Sequence, residues 1–327
     1  MSLFEHVDSA VQAGIKKNTF WAKAPANIAL IKYMGKACEK LNVADNASLS
    51  FTLLDHVVKV ELEPATAWRW LPLDGFGDAI ILSQQEQDRF IDFAKDVAIE
   101  LGLERCFLIK SSGNFPASCG VASSAASFAA LTSALAIAAQ SLLGVELTID
   151  SIIKMSQRGS GSSCRSFFKN WVVWQDKVCR LSDVYYNNCL HQLIVVSDSK
   201  KRVGSSEAHN RVTTSLNYQG RSRRVLSRLS GVREALVSGC WQSLFTISWH
   251  EFWDMHNLFH TSNPAFCYLL PETLDVLNNV QAYWDKYNDG PVVTLDAGAN
   301  VHLLYRGDQQ EVADYFRNKF NKTYRVI

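Results

Sequence analysis

The chain has 327 residues, of which 47% are hydrophobic and 20% charged, and this composition predicts an ordinary globular protein of about two domains. Thirty-three Lys and Arg residues balance thirty-two Asp and Glu residues, so the formal net charge of +1 argues against wholesale nucleic-acid binding, which needs a strong basic field. The eight cysteines form no C-x-x-C pair, which argues against a zinc ribbon or thioredoxin-type chemistry and favours reduced thiols in a cytoplasmic protein.

The first half of the chain predicts short strands around long helices. Runs of β-branched and apolar residues predict strands at residues 49–54, 57–62, 79–82, 106–110, 171–174 and 193–197. Helical spacing of Phe and Ala predicts a helix over 84–101, and an Ala- and Leu-rich segment predicts another over 122–143. A further helix is expected from an N-cap at Thr148 to about residue 157.

The second half is richer in helix. Helices are predicted at residues 207–214, 218–237, 240–260, 271–287 and 311–320, and strands at 292–296, 301–305 and 324–327. This mixture predicts an α+β fold rather than a regular βαβ alternation. We expect two domains, comprising residues 1–190 and 191–327.

One long apolar stretch raises the question of a membrane span. Residues 125–143 are interrupted by Ser, Thr and Gln, so a core helix explains them better than a transmembrane helix. Residues 1–17 are polar and mixed in charge, with no signal-peptide pattern. We therefore expect a soluble cytoplasmic protein without a membrane partner.

The segment 114–124 (N-F-P-A-S-C-G-V-A-S-S) joins a predicted strand to the start of the Ala-rich helix. Gly120 allows close approach of a ligand to the backbone, and the unpaired N–H groups of a helix N-terminus suit an anion. The hydroxyls of Ser123 and Ser124 could contact phosphate or Mg²⁺. A capped helix behind a small-residue turn would have the same composition, so the loop alone leaves both interpretations open.

Three further motifs accompany this loop. They are A-P-A-N-I-A-L-I-K-Y-M-G-K at 24–36, R-G-S-G-S-S-C-R-S at 158–166 and T-L-D-A-G-A-N at 294–300. Together with the loop, and in the same order, they resemble the GHMP small-molecule kinase superfamily and, within it, the mevalonate diphosphate decarboxylases. The resemblance implies the GHMP fold, with an N-terminal ribosomal-protein-S5-like domain and a C-terminal α/β-sandwich domain. It also implies a homodimer that uses ATP and Mg²⁺ to convert mevalonate 5-diphosphate to isopentenyl diphosphate, CO₂, ADP and phosphate.

The resemblance gives three residues catalytic roles. Asp296 aligns with the catalytic aspartate that activates or orients the tertiary hydroxyl of the substrate. Lys32 aligns with the active-site lysine, which is suited to pairing with Asp296, and Arg165 aligns with the arginine that grips the substrate carboxylate. Taken alone, these motifs would be interpreted as a turn aspartate, a surface lysine and a flexible loop.

The remaining implied site residues bind substrate or nucleotide. The implied substrate-binding residues are Tyr33, Lys36, Ser160, Ser162 and Arg165. The implied ATP-binding residues are Asn114, Gly120, Ser123, Ser124 and Ser205, and Ser124 is also the implied Mg²⁺ contact. Ser205 and its neighbour Ser206 fit their family segment more loosely than the other residues do.

Several positions depart from the family pattern. Met34 stands where Trp is usual, Ala299 replaces the common Pro, and Lys169 and Asn170 replace paired glycines. Residues 42–46 (N-V-A-D-N) also differ from the usual stretch. A phosphomevalonate decarboxylase or a mevalonate 3-kinase would share this scaffold, and a non-catalytic nucleotide sensor is the alternative from another class. The presence of Lys32, Arg165 and Asp296 together favours decarboxylation.

Two other patterns in the second half have ordinary explanations. His250, His256 and His260 lack the H-E-x-x-H spacing of a metal site, so a buried or capping role is favoured. An arginine-rich stretch is expected to form a solvated helix face, with attraction of an anionic substrate as the alternative. Its members are Arg221, Arg223, Arg224, Arg228 and Arg233.

Overall fold

The structure, a computed structural model, describes residues 3–5, 8–38, 42–77, 82–115, 123–199 and 201–327. The strands are β1 (Gln12–Lys16), β2 (Thr19–Ile31), β3 (Lys36–Cys38), β4 (Val43–Ala44), β5 (Ser48–Ala65), β6 (Arg69–Pro72), β7 (Cys106–Gly113), β8 (Trp171–Trp174), β9 (Val178–Arg180), β10 (Cys189–Val195), β11 (Val292–Thr294), β12 (Val301–Arg306) and β13 (Arg325–Val326). The helices are α1 (Gln84–Glu100), α2 (Ser123–Leu143), α3 (Ile149–Gly159), α4 (Ser205–Arg211), α5 (Arg221–Ser238), α6 (Trp241–His260), α7 (Pro271–Tyr287) and α8 (Gln310–Phe320). Short 3₁₀ helices occupy Gly161–Phe167 and Val212–Thr214.

Within the described ranges, the first half of the chain builds a seven-stranded sheet around β2 and β5. Its main path runs β1-β2-β5-β7-β6, and β8 and β9 extend it beyond one part of β5. The β2–β5 pair is antiparallel, with Asn27 opposite Thr52, and among the strand pairs of the described residues only β6–β7 is parallel. Alternating burial along the first part of β2 gives way to continuous burial towards Ile31, so the end of this strand is covered on both faces.

Helix α2 is the core helix of this half. It is long and apolar enough to cross a membrane by those two criteria, but most of it is buried against β2, β5 and neighbouring helices. Phe128 on α2 packs edge-to-face against Phe90 and Phe93 of α1, at centroid distances of 5.3 and 4.8 Å. A helix that is apolar around its whole circumference is expected inside a protein core, in agreement with the interpretation from the sequence.

The second half builds a four-stranded antiparallel sheet with helices packed against it. The strand order is β11-β12-β10-β13, and α6 lies against β11 and also reaches the end of β2. Thr294 at the end of β11 donates its hydroxyl proton to the Ala29 carbonyl of β2, with an oxygen–oxygen distance of 2.9 Å. The two sheets are therefore joined close to the point where β2 ends.

Most predicted helices are confirmed, including α7 at its predicted bounds and α3 with Thr148 as N-cap, whose Oγ1 accepts from the Ser151 N–H at 3.2 Å. The predicted strands 49–54 and 57–62 are in fact one strand, β5, because the chain continues its pairing with β2 through a bulge. The predicted strand at 193–197 begins earlier, at Cys189. Strand β2 was not predicted, and the predicted strand 79–82 lies outside the described residues except for Leu82, which is not in a strand.

The expectation of a solvated arginine face on α5 is wrong for three of the five arginines. Arg221 is 1% exposed, and Arg224 and Arg228 are only half-exposed, because all three form ion pairs with acidic residues of α6. The acidic partners are Glu251 and Asp254. Only Arg223 and Arg233 remain exposed, as a solvated face requires.

Candidate active site

A cleft of about 280 Å³ opens where the end of β2 meets α2, the Gly161–Phe167 helix, α4 and the loop after β11. Among the residues with a predicted role, those that line it are Lys32, Tyr33, Lys36, Ser123, Ser124, Ser160, Ser162, Arg165, Ser205 and Asp296. These residues come from segments up to 264 positions apart in the chain. The fold therefore assembles one site from the four motifs that carry the family resemblance.

Lys32 and Asp296 form an ion pair in this cleft. The Lys32 Nζ lies 2.6 Å from Asp296 Oδ1; Lys32 is 3% exposed, and Asp296 is 28% exposed towards the cleft. Burial lowers the pKa of the lysine below its ordinary value, against the opposing effects of Asp296 and Glu251. Burial alone would raise the pKa of Asp296, but the charges of Lys32, His302 and Lys201 outweigh it and lower that pKa. Asp296 is thus a carboxylate at neutral pH, exposed only on its cleft side.

Arg165 is a buried cation whose side-chain hydrogen-bond partners are neutral. Its Nε donates to Ser50 Oγ at 3.0 Å, its Nη1 to Ser48 Oγ at 2.6 Å and its Nη2 to Asn27 Oδ1 at 3.3 Å. No acidic residue forms a salt bridge with it in the part of the chain that the structure describes. Because a buried charge without a counterion is costly, the arrangement favours an anionic ligand within reach of the guanidinium.

Tyr33 forms one wall of the cleft. Its ring stacks on His209 at 4.6 Å and meets Trp174 edge-on at 5.3 Å, and burial raises its pKa to about 12. Gly161 lies against the hydroxyl: a Cβ at this position would be 2.5 Å from Tyr33 Oη. The absence of a side chain at Gly161 therefore allows the hydroxyl to keep its place beside the substrate space.

Serine hydroxyls line a second side of the cleft. Ser160 Oγ lies 3.4 Å from Ser124 Oγ and 3.2 Å from Ser162 Oγ, so a row of hydroxyls connects the start of α2 with the segment that holds Arg165. Ser123 and Ser124 are the first two residues of α2, where unpaired N–H groups and the helix dipole favour an anion. This side of the cleft is suited to phosphate oxygens.

Two residues that the resemblance assigned to ATP are not among those that line the cleft. Asn114 lies outside it, and Gly120 is not among the described residues. Both polar atoms of the Asn114 amide bind the main chain of β5: Oδ1 accepts from the Val57 N–H and Nδ2 donates to the Asp55 carbonyl, each at 2.7 Å. Asn114 does not line the cleft, so its contacts give it a structural role at the strand end. Gly120 and residues 116–122 of the phosphate loop lie outside the described residues.

One of the three histidines on α6 supports the active site. His256 is buried and its Nε2–H donates to the Asp296 main-chain carbonyl at 3.2 Å, while burial lowers its pKa to about 3. His250 and His260 are exposed. His256 is therefore a neutral hydrogen-bond donor that holds the loop carrying Asp296, which is the buried role that the sequence favoured.

Comparison with known proteins decides the family. A family model described as the diphosphomevalonate decarboxylase-like N-terminal domain matches residues 24–183, and one described as the mevalonate 5-diphosphate decarboxylase C-terminal domain matches residues 192–326. The chain belongs to the mevalonate diphosphate decarboxylase family. It is accordingly an enzyme of the diphosphomevalonate decarboxylase class, as the resemblance implied.

Individual relatives agree over most of the chain. The diphosphomevalonate decarboxylase of Saccharomyces cerevisiae is 30% identical over 315 residues, which cover 88% of this chain and 78% of the yeast protein. A crystal structure of a mevalonate diphosphate decarboxylase from Legionella pneumophila is 44% identical, with a TM-score of 0.87, and covers 94% of this chain and 100% of that one. The enzyme from Enterococcus faecalis, in a structure concerned with ATP binding mediated by mevalonate diphosphate, is 26% identical with a TM-score of 0.80 over 94% and 95% of the two chains. These likenesses confirm the GHMP kinase fold.

Five polar residues of this mevalonate diphosphate decarboxylase cleft received no role from the sequence. They are Asn27, Asn42, Arg89, Lys201 and His209. Asn27 belongs to the N-I-A motif, so its place in the motif was an available signal, and it links Arg165 to Ser166, whose Oγ accepts from Asn27 Nδ2 at 2.9 Å. Arg89 and Lys201 are exposed residues of α1 and of the segment before α4. No local pattern distinguishes them from solvated surface cations.

Two of the residues that depart from the family pattern, Met34 and Asn42, line the cleft, and none of the departing residues belongs to the Lys32–Asp296 ion pair. Met34, in the place of the usual Trp, is buried and lines the cleft together with Met255. The carbonyl of Ala299 accepts from Thr273 Oγ1 at 2.8 Å, which anchors the loop that contains Asp296 without a proline. The departures at Met34 and Asn42 therefore change part of the cleft wall, while Lys32, Arg165 and Asp296 remain in place.

Proposed function

We propose that Lys32, Asp296 and Arg165 are the residues through which this enzyme converts mevalonate 5-diphosphate to isopentenyl diphosphate. The observation that carries the proposal is the buried Lys32–Asp296 pair, 2.6 Å apart, in the same cleft as an arginine without an acidic partner. The substrate offers a tertiary hydroxyl and a carboxylate, and the cleft offers one group suited to each. Together these groups suit a reaction in which the hydroxyl is phosphorylated and the carboxylate is held for its loss as CO₂.

Asp296 acts on the hydroxyl. Its lowered pKa keeps it ionised at neutral pH, so its free oxygen can accept the hydroxyl hydrogen while Lys32 fixes the other oxygen. The hydroxyl oxygen attacks the γ-phosphorus of ATP, the bond from that phosphorus to the ADP oxygen breaks, and ADP leaves. Lys32 also stabilises negative charge that develops between the reacting groups.

Arg165 orients the carboxylate for the second stage. The bond between the tertiary carbon and the phosphate oxygen breaks with its electron pair leaving on phosphate. The electrons of the carbon–carboxylate bond then form the alkene as CO₂ departs. Arg165 is suited to this because Ser48, Ser50 and Asn27 fix its guanidinium plane without neutralising its charge.

Phosphate groups fit the serine-lined side. We assign Ser123, Ser124 and Ser205 to ATP, and Tyr33, Lys36, Ser160 and Ser162 to the substrate, whose diphosphate meets the half-buried Lys36. Support for ATP and Mg²⁺ comes from the solved complex of MDDEF with MVAPP, AMPPCP and magnesium, which is 27% identical with a TM-score of 0.81. Mg²⁺ prefers oxygen ligands, which the Ser124 hydroxyl can supply, and when bound it neutralises phosphate charge.

We further propose a cytoplasmic homodimer with a small-molecule substrate and no nucleic-acid or membrane partner. The seven cysteines of the described residues are all free thiols, which is compatible with a reducing compartment. Light scattering of the purified protein tests the dimer: a mass near 73 kDa, twice that of the 36.6 kDa chain, supports it, and a mass of one chain contradicts it.

One assay tests the catalytic proposal. The protein is incubated with Mg-ATP and, in parallel, with mevalonate, its 5-phosphate or its 5-diphosphate, and ADP, CO₂ and alkene product are measured. We expect all three products in equal amounts and the highest kcat/KM with the diphosphate. ADP without CO₂ would identify a kinase, a preference for the monophosphate would identify a phosphomevalonate decarboxylase, and no turnover would overturn the proposal.

A further inference from the structure

The main chain of Lys32 is held by a buried ion pair from the second half of the molecule. Strand β2 ends at Ile31, opposite Leu49, so the N–H and C=O of Lys32 lie beyond the sheet and need other partners. The Lys32 N–H donates to Glu251 Oε1 at 3.0 Å, and the Lys32 carbonyl accepts from Arg221 Nη2 at 3.1 Å. Arg221 and Glu251 are 1% and 0% exposed and are themselves paired through both carboxylate oxygens.

This arrangement fixes Lys32 from two directions at its own peptide groups. Asn46 Nδ2 adds a third contact, to the Lys32 carbonyl at 2.9 Å. Partners from α5, α6 and the β4–β5 connection therefore define where the lysine side chain starts, and the 2.6 Å contact with Asp296 defines where it ends. A side chain held at both ends has little freedom, which is what a catalytic ion pair requires.

We propose that Arg221 and Glu251 form a positioning pair for the active-site lysine, so that this one ion pair between α5 and α6 acts in the reaction as well as in the fold. The proposal rests on the role given above to Lys32. It attributes to Arg221 and Glu251 no contact with substrate. Their effect passes through the position of the Lys32 backbone and through the charge of Glu251.

The negative charge of Glu251 raises the pKa of Lys32. The charged or titratable groups that influence Lys32 are Asp296, Glu251, Arg165 and His256. Asp296 and Glu251 favour the ammonium form, whereas Arg165 and burial oppose it. His256 has a pKa of about 3 and is therefore neutral at the pH of the assay. Loss of the Glu251 charge therefore lowers the pKa of Lys32 and moves the alkaline limb of the activity profile to lower pH.

The chain provides a matched control in the same cluster. Arg224 pairs with Asp254 and donates to the carbonyls of Asn217 and Gln219, but it contacts neither Glu251 nor Lys32. Arg224→Gln thus disturbs the ion cluster without touching the Lys32 main chain. If the cluster served stability alone, Arg224→Gln and Glu251→Gln would both lower the melting temperature, and neither would shift the pH profile of kcat.

The test measures kcat, KM for each substrate, the pH profile of kcat and the melting temperature of the full-length protein and its variants. For Glu251→Gln we expect kcat to fall about 10- to 100-fold, KM for ATP to stay within about 2-fold, and the alkaline limb to move down by about one pH unit. Arg221→Lys keeps the charge but cannot bridge Glu251 and the Lys32 carbonyl in the same way, and we expect the same loss of kcat without the shift in pH profile. Arg224→Gln is expected to keep kcat and the pH profile of the wild type.

The outcomes separate this proposal from the one on which it rests. Normal kcat and an unmoved profile in Glu251→Gln, or the same shift in Arg224→Gln, would overturn the positioning pair. If both Glu251→Gln and Arg221→Lys failed to fold, the pair would serve the fold alone and the proposal would also be overturned. A wild-type protein without turnover, or a fully active Lys32→Met variant, would instead contradict the proposed catalytic role of Lys32.

Discussion

Lys32 and Asp296 are 264 residues apart in the chain, and their side chains meet at 2.6 Å inside the cleft. Each comes from the point where a strand ends: Lys32 directly follows β2, and Asp296 lies two residues beyond β11. The hydrogen bond from Thr294 to the Ala29 carbonyl joins these two strand ends. The junction between the two sheets therefore sets the position of the Lys32–Asp296 pair.

Replacement of Asp296 by Asn tests the role of the carboxylate. The amide is of similar size and can still accept from Lys32, but it cannot take the hydroxyl proton of the substrate. We expect turnover to fall at least about 10³-fold while ATP affinity, measured by calorimetry, changes little. Asp314→Asn, at an exposed position on α8, is the control and should retain full activity. Near-normal turnover in Asp296→Asn would contradict the proposed mechanism.

Replacement of Arg165 by Lys keeps a positive charge but removes the planar group that Ser48, Ser50 and Asn27 hold. An ammonium cannot satisfy these three acceptors and a substrate carboxylate together. We expect kcat/KM for mevalonate 5-diphosphate to fall about 100-fold, which corresponds to the loss of a charge-assisted bidentate contact of about 3 kcal/mol.

Product analysis checks the same variant more sharply. Because Arg165 is assigned to the carboxylate, CO₂ release should fall at least as much as ADP formation. Arg180→Lys serves as the control, since this arginine pairs with Asp8 and neither residue lines the cleft. Equal ADP and CO₂ formation at the wild-type rate would rule out the role given to Arg165.

The motifs identified the candidate reactive residues, but they did not identify the residues that hold them in position. Lys32, Arg165 and Asp296 each lie in a short motif that matches the family pattern, so the motif itself carries the signal. Glu251 and Arg221 hold the same lysine through side chains on two separate helices. The pairing of Arg221 with Glu251 depends on the packing of α5 against α6. The sequence does not reveal it, because an arginine-rich helix has the same pattern whether its arginines are solvated or paired with acidic residues.

Strand β2 was missed for a related reason. Its second part is buried on both faces and contains Ala, Pro25 and Asn27 in place of alternating β-branched residues. Asn27 is acceptable there because its amide binds Arg165, Ser166 and the Ser162 carbonyl. Because these hydrogen bonds allow a polar side chain at a buried position, β2 departs from the period-2 pattern at Asn27.

Buried histidines predict how stability depends on pH. His256 and His209 have pKa values lowered by burial to about 3, against an ordinary value of 6.5. The unfolded chain therefore binds protons below pH 6.5 that the folded chain does not bind until about pH 3. As pH falls through this window, the free energy of unfolding should decrease by up to about 1.4 kcal/mol per pH unit for each histidine.

Denaturation in urea at pH 7, 6 and 5 measures this dependence. His256→Gln should be less stable than the wild type at pH 7, because the hydrogen bond to the Asp296 carbonyl is disturbed, but its stability should fall less steeply with acid. His250→Gln, at an exposed position on the same helix, should keep the slope of the wild type. Equal slopes in all three proteins would mean that His256 does not titrate as its burial requires.

Gly161 tests how tightly the wall of the cleft is packed. A Cβ added there would lie 2.5 Å from Tyr33 Oη and 3.3 Å from the Asn42 carbonyl, and Tyr33 cannot yield freely because His209 and Trp174 pack against its ring. We expect Gly161→Ala to raise KM for mevalonate 5-diphosphate about 10-fold and to cost about 1–3 kcal/mol of stability through overpacking. Gly204→Ala is the matched control, since no atom lies within 4 Å of its added methyl group and its φ of −70° suits alanine. If the two alanine variants had the same KM, the contact between Gly161 and Tyr33 would not shape the substrate site.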